Sequence, residues 1–182
     1  IGNEILNLYK YNKKIKILAT YNLNLINLKR DNIKIIKFDL NKNTNSLFKY
    51  VKKYREIRIY YLATPKISIK NDDKNNTNKY KNYYRKYPLK LIKQLSKVIP
   101  YIEFFYPSTI YIDDDLNSEY VRQKLIGEKE LKGLSNRNIK INILRIDQLH
   151  TQQNLSFSDK KLPTFTSKLN ENKMYRKKFF DF

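Results

Sequence analysis

Short apolar runs alternate along the chain with stretches whose apolar residues recur every three or four positions. In residues 3–11, Ile5, Leu6 and Tyr9 fall at helical spacing and predict a short amphipathic helix. Ile15–Thr20 (IKILAT) predicts a buried strand, and Ile33–Phe38 (IKIIKF) a second one closed by Asp39. Leu47, Phe48 and Val51 mark a short helix. Ile57–Leu62 (IRIYYL) reads as a third strand, whose continuation Pro65 opposes. Residues 70–82 are rich in Asn and Lys and predict a loop or a frayed helix start. Leu89–Val98 returns to helical spacing and Pro100 ends it. Tyr101–Tyr106 is a fourth strand with Pro107, Ser108 and Thr109 as its polar exit. Glu119–Leu134 predicts a helix, Ile139–Leu144 a fifth strand, and from about residue 150 the periodicity is lost.

Strands separated by helical segments imply right-handed crossovers, hence an α/β fold with a mostly parallel sheet. Such sheets take ligands beyond the carboxyl ends of their strands, so the informative residues lie just after each apolar run. A length of 182 residues with 41% hydrophobic residues suits one domain with a core. There is no cysteine and His150 is the one histidine, which argues against thiolate or histidine metal sites and against a catalytic triad. No apolar run approaches the roughly 18 residues of a membrane span, and a cytoplasmic location fits. Starting at Ile1 rather than Met, the chain reads as a fragment or a processed form.

The net charge of +21 points toward nucleic acid or an acidic membrane if the cations are clustered. They are instead spread from end to end. Lys, Asn, Ile and Tyr, all encoded by AT-rich codons, are abundant together, so codon bias is the favoured account. The run Tyr80–Tyr87 (YKNYYRKY) interleaves aromatics with cations and can stack bases, but a solvated helix face is the preferred reading.

One spacing carries chemistry. Tyr120 and Lys124 stand four apart in a predicted helix, with Glu128 four further on, so all three share one face. An ammonium beside a phenol favours the phenolate, which makes tyrosine a usable proton donor or acceptor near neutral pH. Upstream, Ser108 and Thr109 lie 12 and 11 residues before Tyr120, where a hydroxyl can hydrogen-bond a substrate carbonyl.

A Ser/Thr pair after a strand, then Tyr-x-x-x-Lys, then Glu four residues on, resembles the short-chain dehydrogenase/reductase family, the Glu favouring its extended and atypical, epimerase/dehydratase-like branches. Asp39-Leu40 is similar to the acidic pair that meets the adenine ring. Leu62-Ala63-Thr64 sits where the family has a segment beside the cofactor, and Ile1-Gly2 resembles the end of its glycine-rich phosphate loop. The resemblance implies a Rossmann-type doubly wound parallel sheet lacking its first strand and most of that loop, over residues 1–150. Residues 151–182 remain as an irregular segment, or the start of a substrate-binding region. It implies NAD or NADP as cofactor. No acid ends the first visible strand (Thr20-Tyr21-Asn22), which leans toward NADP. It also implies an oxidoreductase acting on a carbonyl or alcohol, in which Tyr120 transfers the proton, Lys124 holds the nicotinamide ribose, and Ser108 or Thr109 polarises the substrate oxygen. The substrate is an unidentified small molecule, and the Tyr–Lys helix of the family commonly forms a homodimer. The alternatives are a sugar-nucleotide epimerase or dehydratase of the same fold, and a non-catalytic basic Rossmann scaffold binding RNA.

Overall fold

The computed structural model describes residues 1–24, 27–42, 44–65, 74–110, 118–147, 149 and 162–171, so His150 lies outside the described residues. The elements follow the order α1 (Gly2–Tyr9), β1 (Ile17–Tyr21), β2 (Ile33–Lys37), α2 (Asn45–Val51), β3 (Glu56–Tyr60), α3 (Lys74–Lys81), a π-helical turn (Asn82–Lys86), α4 (Tyr87–Leu95), β4 (Tyr101–Thr109), α5 (Glu119–Lys132), β5 (Ile139–Ile146) and α6 (Phe165–Glu171). All strand pairs are parallel. β1 pairs with β2, and β4 lies between β3 and β5. β1 and β3 are not paired with each other, so the five strands form a two-stranded and a three-stranded sheet.

Alternation along β4 explains why helices cover both faces. Successive strand residues point to opposite sides. Ile102, Phe104 and Tyr106 enter a core shared with Leu47 of α2, Leu91, Ile92 and Leu95 of α4, and Leu131 of α5. Phe105 enters a second core with Ile5 and Tyr9 of α1, Leu144 of β5, and Phe165 and Leu169 of α6. Each fully buried aliphatic or aromatic side chain contributes roughly 1.5–3 kcal/mol, so the two faces together hold β4 at the centre. Ile36 and Leu18 of the smaller sheet pack on the first core and Ile17 on the second, which joins the two sheets.

Three expectations need correction. Within the polar run over 70–82, the described residues are not a loop. Residues 74–81 are helical and continue through the π-helical turn into α4. Tyr80 is the reason, because it is buried and anchors a run with little other apolar content. Second, α4 ends at Leu95, five residues before Pro100. Third, Pro107, Ser108 and Thr109 are not a loop exit but the last three residues of β4, opposite Leu144, Arg145 and Ile146. Pro107 is tolerated because the β3 register ends at Tyr60↔Phe105, so among the described residues β5 is its only neighbouring strand.

Candidate active site

The site forms where α5 and the π-helical turn close over the carboxyl end of β4. Pro88 sets it up. It stands in the first turn of α4, within a helical run that continues upstream, and it has no N–H to give the carbonyl four residues back, that of Tyr84. The backbone relaxes into the π turn, where the N–H of Tyr87 donates to the carbonyl of Asn82. The Tyr84 carbonyl takes another donor, the hydroxyl of Tyr106 at 3.1 Å. On α5, Gly127 faces this same carbonyl and leaves the space that lets the helix approach.

Lys124 points from α5 into the resulting enclosure. Its ammonium donates to the carbonyl oxygen of Pro107 at 2.5 Å. It also lies 4.6 Å from the ring centroid of Tyr84, 5.1 Å from that of Tyr106 and 5.9 Å from that of Tyr120. Three tyrosine faces and one carbonyl thus surround a single cation, each ring attracting it through its quadrupole. Lys124 is buried, and burial pushes its pKa down to about 7, against the opposing pull of the Glu128 charge. A lysine poised to titrate near neutrality inside a cleft is a recurring mark of a functional site.

The other groups take distinct parts. Tyr120 is half-buried, and its ring meets those of Tyr84 and Tyr80 edge-on at 5.4 and 6.0 Å. Burial, followed by the neighbouring Tyr120, holds the Tyr84 hydroxyl well above the ordinary tyrosine pKa, and burial does the same for Tyr106. Both therefore stay neutral phenols. Glu128 is buried in a two-pronged pair with Arg145, at 3.2 Å to Nε and 3.1 Å to Nη2. Ser108 shares its strand face with Tyr106, and its buried Oγ has no hydrogen-bond partner among the described residues. Thr109 is buried on the opposite face.

The residues singled out by sequence divide into three places. Tyr120, Lys124 and Ser108 come together around the carboxyl end of β4. Thr64 joins them indirectly, its hydroxyl 2.7 Å from that of Tyr84. Gly2, at the start of α1, lies beside Leu62, whose Cδ1 is 3.5 Å from where a Cβ on Gly2 would be. Ala63 packs on the first core and Leu62 on the second. Asp39 and Leu40 follow β2. The Asp39 carboxylate accepts from the backbone and side chain of Asn41, at 2.9 and 3.1 Å, and Leu40 packs on the first core. Sequence reasoning missed Tyr84 and Tyr106. Pro88, four residues after Tyr84 in a helical run, is the signal that would have exposed the first. Among the described residues no group of three or more acidic, histidine or cysteine side chains could hold a metal ion.

Two of the four tyrosines in the aromatic run that would stack bases are turned inward. Tyr80 and Tyr84 are buried, and Tyr83 and Tyr87 pack edge-on at 5.3 Å.

No protein-family model matches the chain, and no curated protein matches it in sequence. Solved structures do match in fold. A short-chain dehydrogenase from Burkholderia cenocepacia J2315 in complex with NADP superposes with a TM-score of 0.67 at 10% identity, covering 81% of this chain and 68% of that one. A thiolation-reductase di-domain from an archaeal non-ribosomal peptide synthetase gives 0.60 at 15% identity, covering 97% and 56%. FolM alternative dihydrofolate reductase 1 from Brucella suis, in complex with NADP, gives 0.51 at 15% identity, covering 63% and 51%. The fold is that of the Rossmann-type short-chain dehydrogenases. The chain spans about half the length of the Brucella suis reductase.

Proposed function

We propose that the protein is an NAD(P)-dependent oxidoreductase of the short-chain dehydrogenase/reductase type, acting on a carbonyl or alcohol. The observation that carries this reading is the buried Lys124, placed against Tyr120 and held by the carbonyl that precedes the unpartnered Ser108. A buried hydroxyl without a partner is uncommon in folded proteins, and a substrate oxygen is the partner this one fits. NADP is the favoured cofactor, supported by the NADP-bound neighbours of like fold and by the absence of an acid after β1. The place of Glu128 four residues after Lys124 is what favours the extended or atypical branch.

When bound, the dinucleotide supplies or accepts the hydride. The protein positions and protonates. Ser108 donates to the substrate oxygen. Tyr120, the least buried tyrosine of the cage, gives its proton to that oxygen in reduction and takes it back in oxidation. Lys124 stabilises the phenolate left on Tyr120 and holds the nicotinamide ribose. Leu62, Ala63, Thr64 and Gly2 line the approach of the cofactor, with Asp39 and Leu40 at its adenine end. The experiment is Tyr120→Phe. It is expected to abolish NADPH-dependent carbonyl reduction and to leave NADPH affinity within about twofold. Turnover retained by this variant would overturn the assignment.

A further inference from the structure

We propose that Tyr84 is a positioning residue of this site, coupling the segment after β3 to the Lys124 ammonium. A hydroxyl–hydroxyl bond to Thr64 joins one end of its ring to that segment, and a cation–π contact joins its face to Lys124. The inference rests on the functional reading above only for what the site does, not for how it is held.

Four observations converge on Tyr84. Its main chain is fixed, because Pro88 removes its helical donor, Tyr106 supplies a replacement at 3.1 Å, and α5 packs on the same carbonyl through Gly127. Its ring cannot drift sideways, since Tyr80 stacks against it at 6.0 Å and Tyr120 meets it edge-on at 5.4 Å. Its hydroxyl is pinned by Thr64 at 2.7 Å. Its face then gives the shortest of the three ring contacts to the ammonium, 4.6 Å. Glu128, the acid nearest in sequence, is engaged by Arg145. The direction of the ammonium is therefore set by the Pro107 carbonyl and the rings, and Tyr84 is the ring tied to the segment after β3.

The geometry makes Thr64 and Lys124 two ends of one lever. A group docking against residues 62–64 changes the Thr64 hydroxyl bond, and the Tyr84 ring carries that change from its hydroxyl to the Lys124 ammonium on its face.

The test is carbon-13 NMR of the protein labelled in lysine, with the Lys124 ε-methylene assigned by its disappearance in Lys124→Arg. Protons above an aromatic face are shielded, so this resonance is expected upfield of the other lysines. Tyr84→Leu removes the ring and is expected to abolish the shift. Because that variant risks unfolding, Thr64→Val and Tyr84→Phe, which preserve volume, carry the decision. Both are expected to move the Lys124 resonance while leaving the other lysines in place. A Lys124 resonance unmoved by both overturns the coupling. A wild-type protein that shows the coupling but binds no NADPH supports it and overturns only the dehydrogenase reading.

Discussion

Gly127 of α5 faces the carbonyl oxygen of Tyr84 so closely that a Cβ there would overlap it, with the Tyr106 hydroxyl 3.1 Å away on the same side. The obstructing atom is backbone, and Tyr106 holds it, so it cannot swing aside as a side-chain tip would. Gly127→Ala is expected to destabilise the protein by about 1–3 kcal/mol, as overpacking does. Gly133 is the control. It is exposed, adopts right-handed helical geometry, and a Cβ there meets nothing nearer than the Glu130 carbonyl at 3.4 Å. Gly133→Ala is expected to be neutral or to stabilise by roughly 0.4–1 kcal/mol. Equal melting temperatures for the two variants would contradict the close approach of α5 to the π turn.

Lys124 costs stability at neutral pH. Burial pushes its pKa from 10.5 to about 7, so between those values the unfolded chain binds a proton that the folded protein does not. Stability therefore falls as the pH drops from 10.5 to 7, and the whole cost is present below 7. Lys124→Met is expected to raise stability by about 1–4 kcal/mol at pH 6, with the gain shrinking at alkaline pH. Denaturant unfolding across that range checks this. A variant less stable than wild type at pH 6 would show that the ammonium is better compensated than its surroundings indicate.

Glu103 has the opposite sign. It is buried in β4, accepting from Arg58 at 2.6 Å, Lys140 at 2.7 Å and Asn142 at 2.7 Å. Burial alone would raise its pKa, but the bonds from Lys140, Asn142 and Arg58 outweigh it and hold the carboxyl below its ordinary value. Its stabilisation is therefore present above the unfolded pKa of 4.5 and is lost as the pH falls through the lower folded value. Glu103→Gln is expected to lose about 1–3 kcal/mol at pH 7 and to show a shallower acid limb than wild type. Parallel acid limbs would mean that this ladder does not set the acid response.

Ser108→Ala separates function from stability. Removing a buried hydroxyl that has no partner among the described residues is expected to leave the melting temperature unchanged or slightly higher. Carbonyl reduction is expected to fall about 10²–10³-fold, the usual effect of deleting one preorganised donor. Thr109→Val, on the opposite strand face, is expected to retain far more activity. The reverse ranking would move the substrate to the other side of β4.

The five strands were legible because each is a short apolar run, and Tyr120 and Lys124 because a four-residue spacing fixes one helical face. Ser108 and Thr109 were singled out together; that they face opposite sides appears only once β4 runs to Thr109 and parity sorts the two. The cage was not legible. Tyr106 lies in an apolar strand, where its hydroxyl gives no periodic signal. Tyr84 is buried four residues after Tyr80 and four before Pro88, but the polar residues between them mask that spacing. Its partner Thr64 is 20 residues away, and no local pattern announces such a pair.

The most direct measurement is calorimetric titration of NADPH into the protein as its gene encodes it, beside Lys124→Ala. Saturable binding is expected, weakened at least tenfold in the variant, with NADH binding less tightly than NADPH. Binding of equal strength in both proteins, or of neither dinucleotide to the wild type, would contradict the assignment of the Tyr120–Lys124 cage to a nicotinamide cofactor.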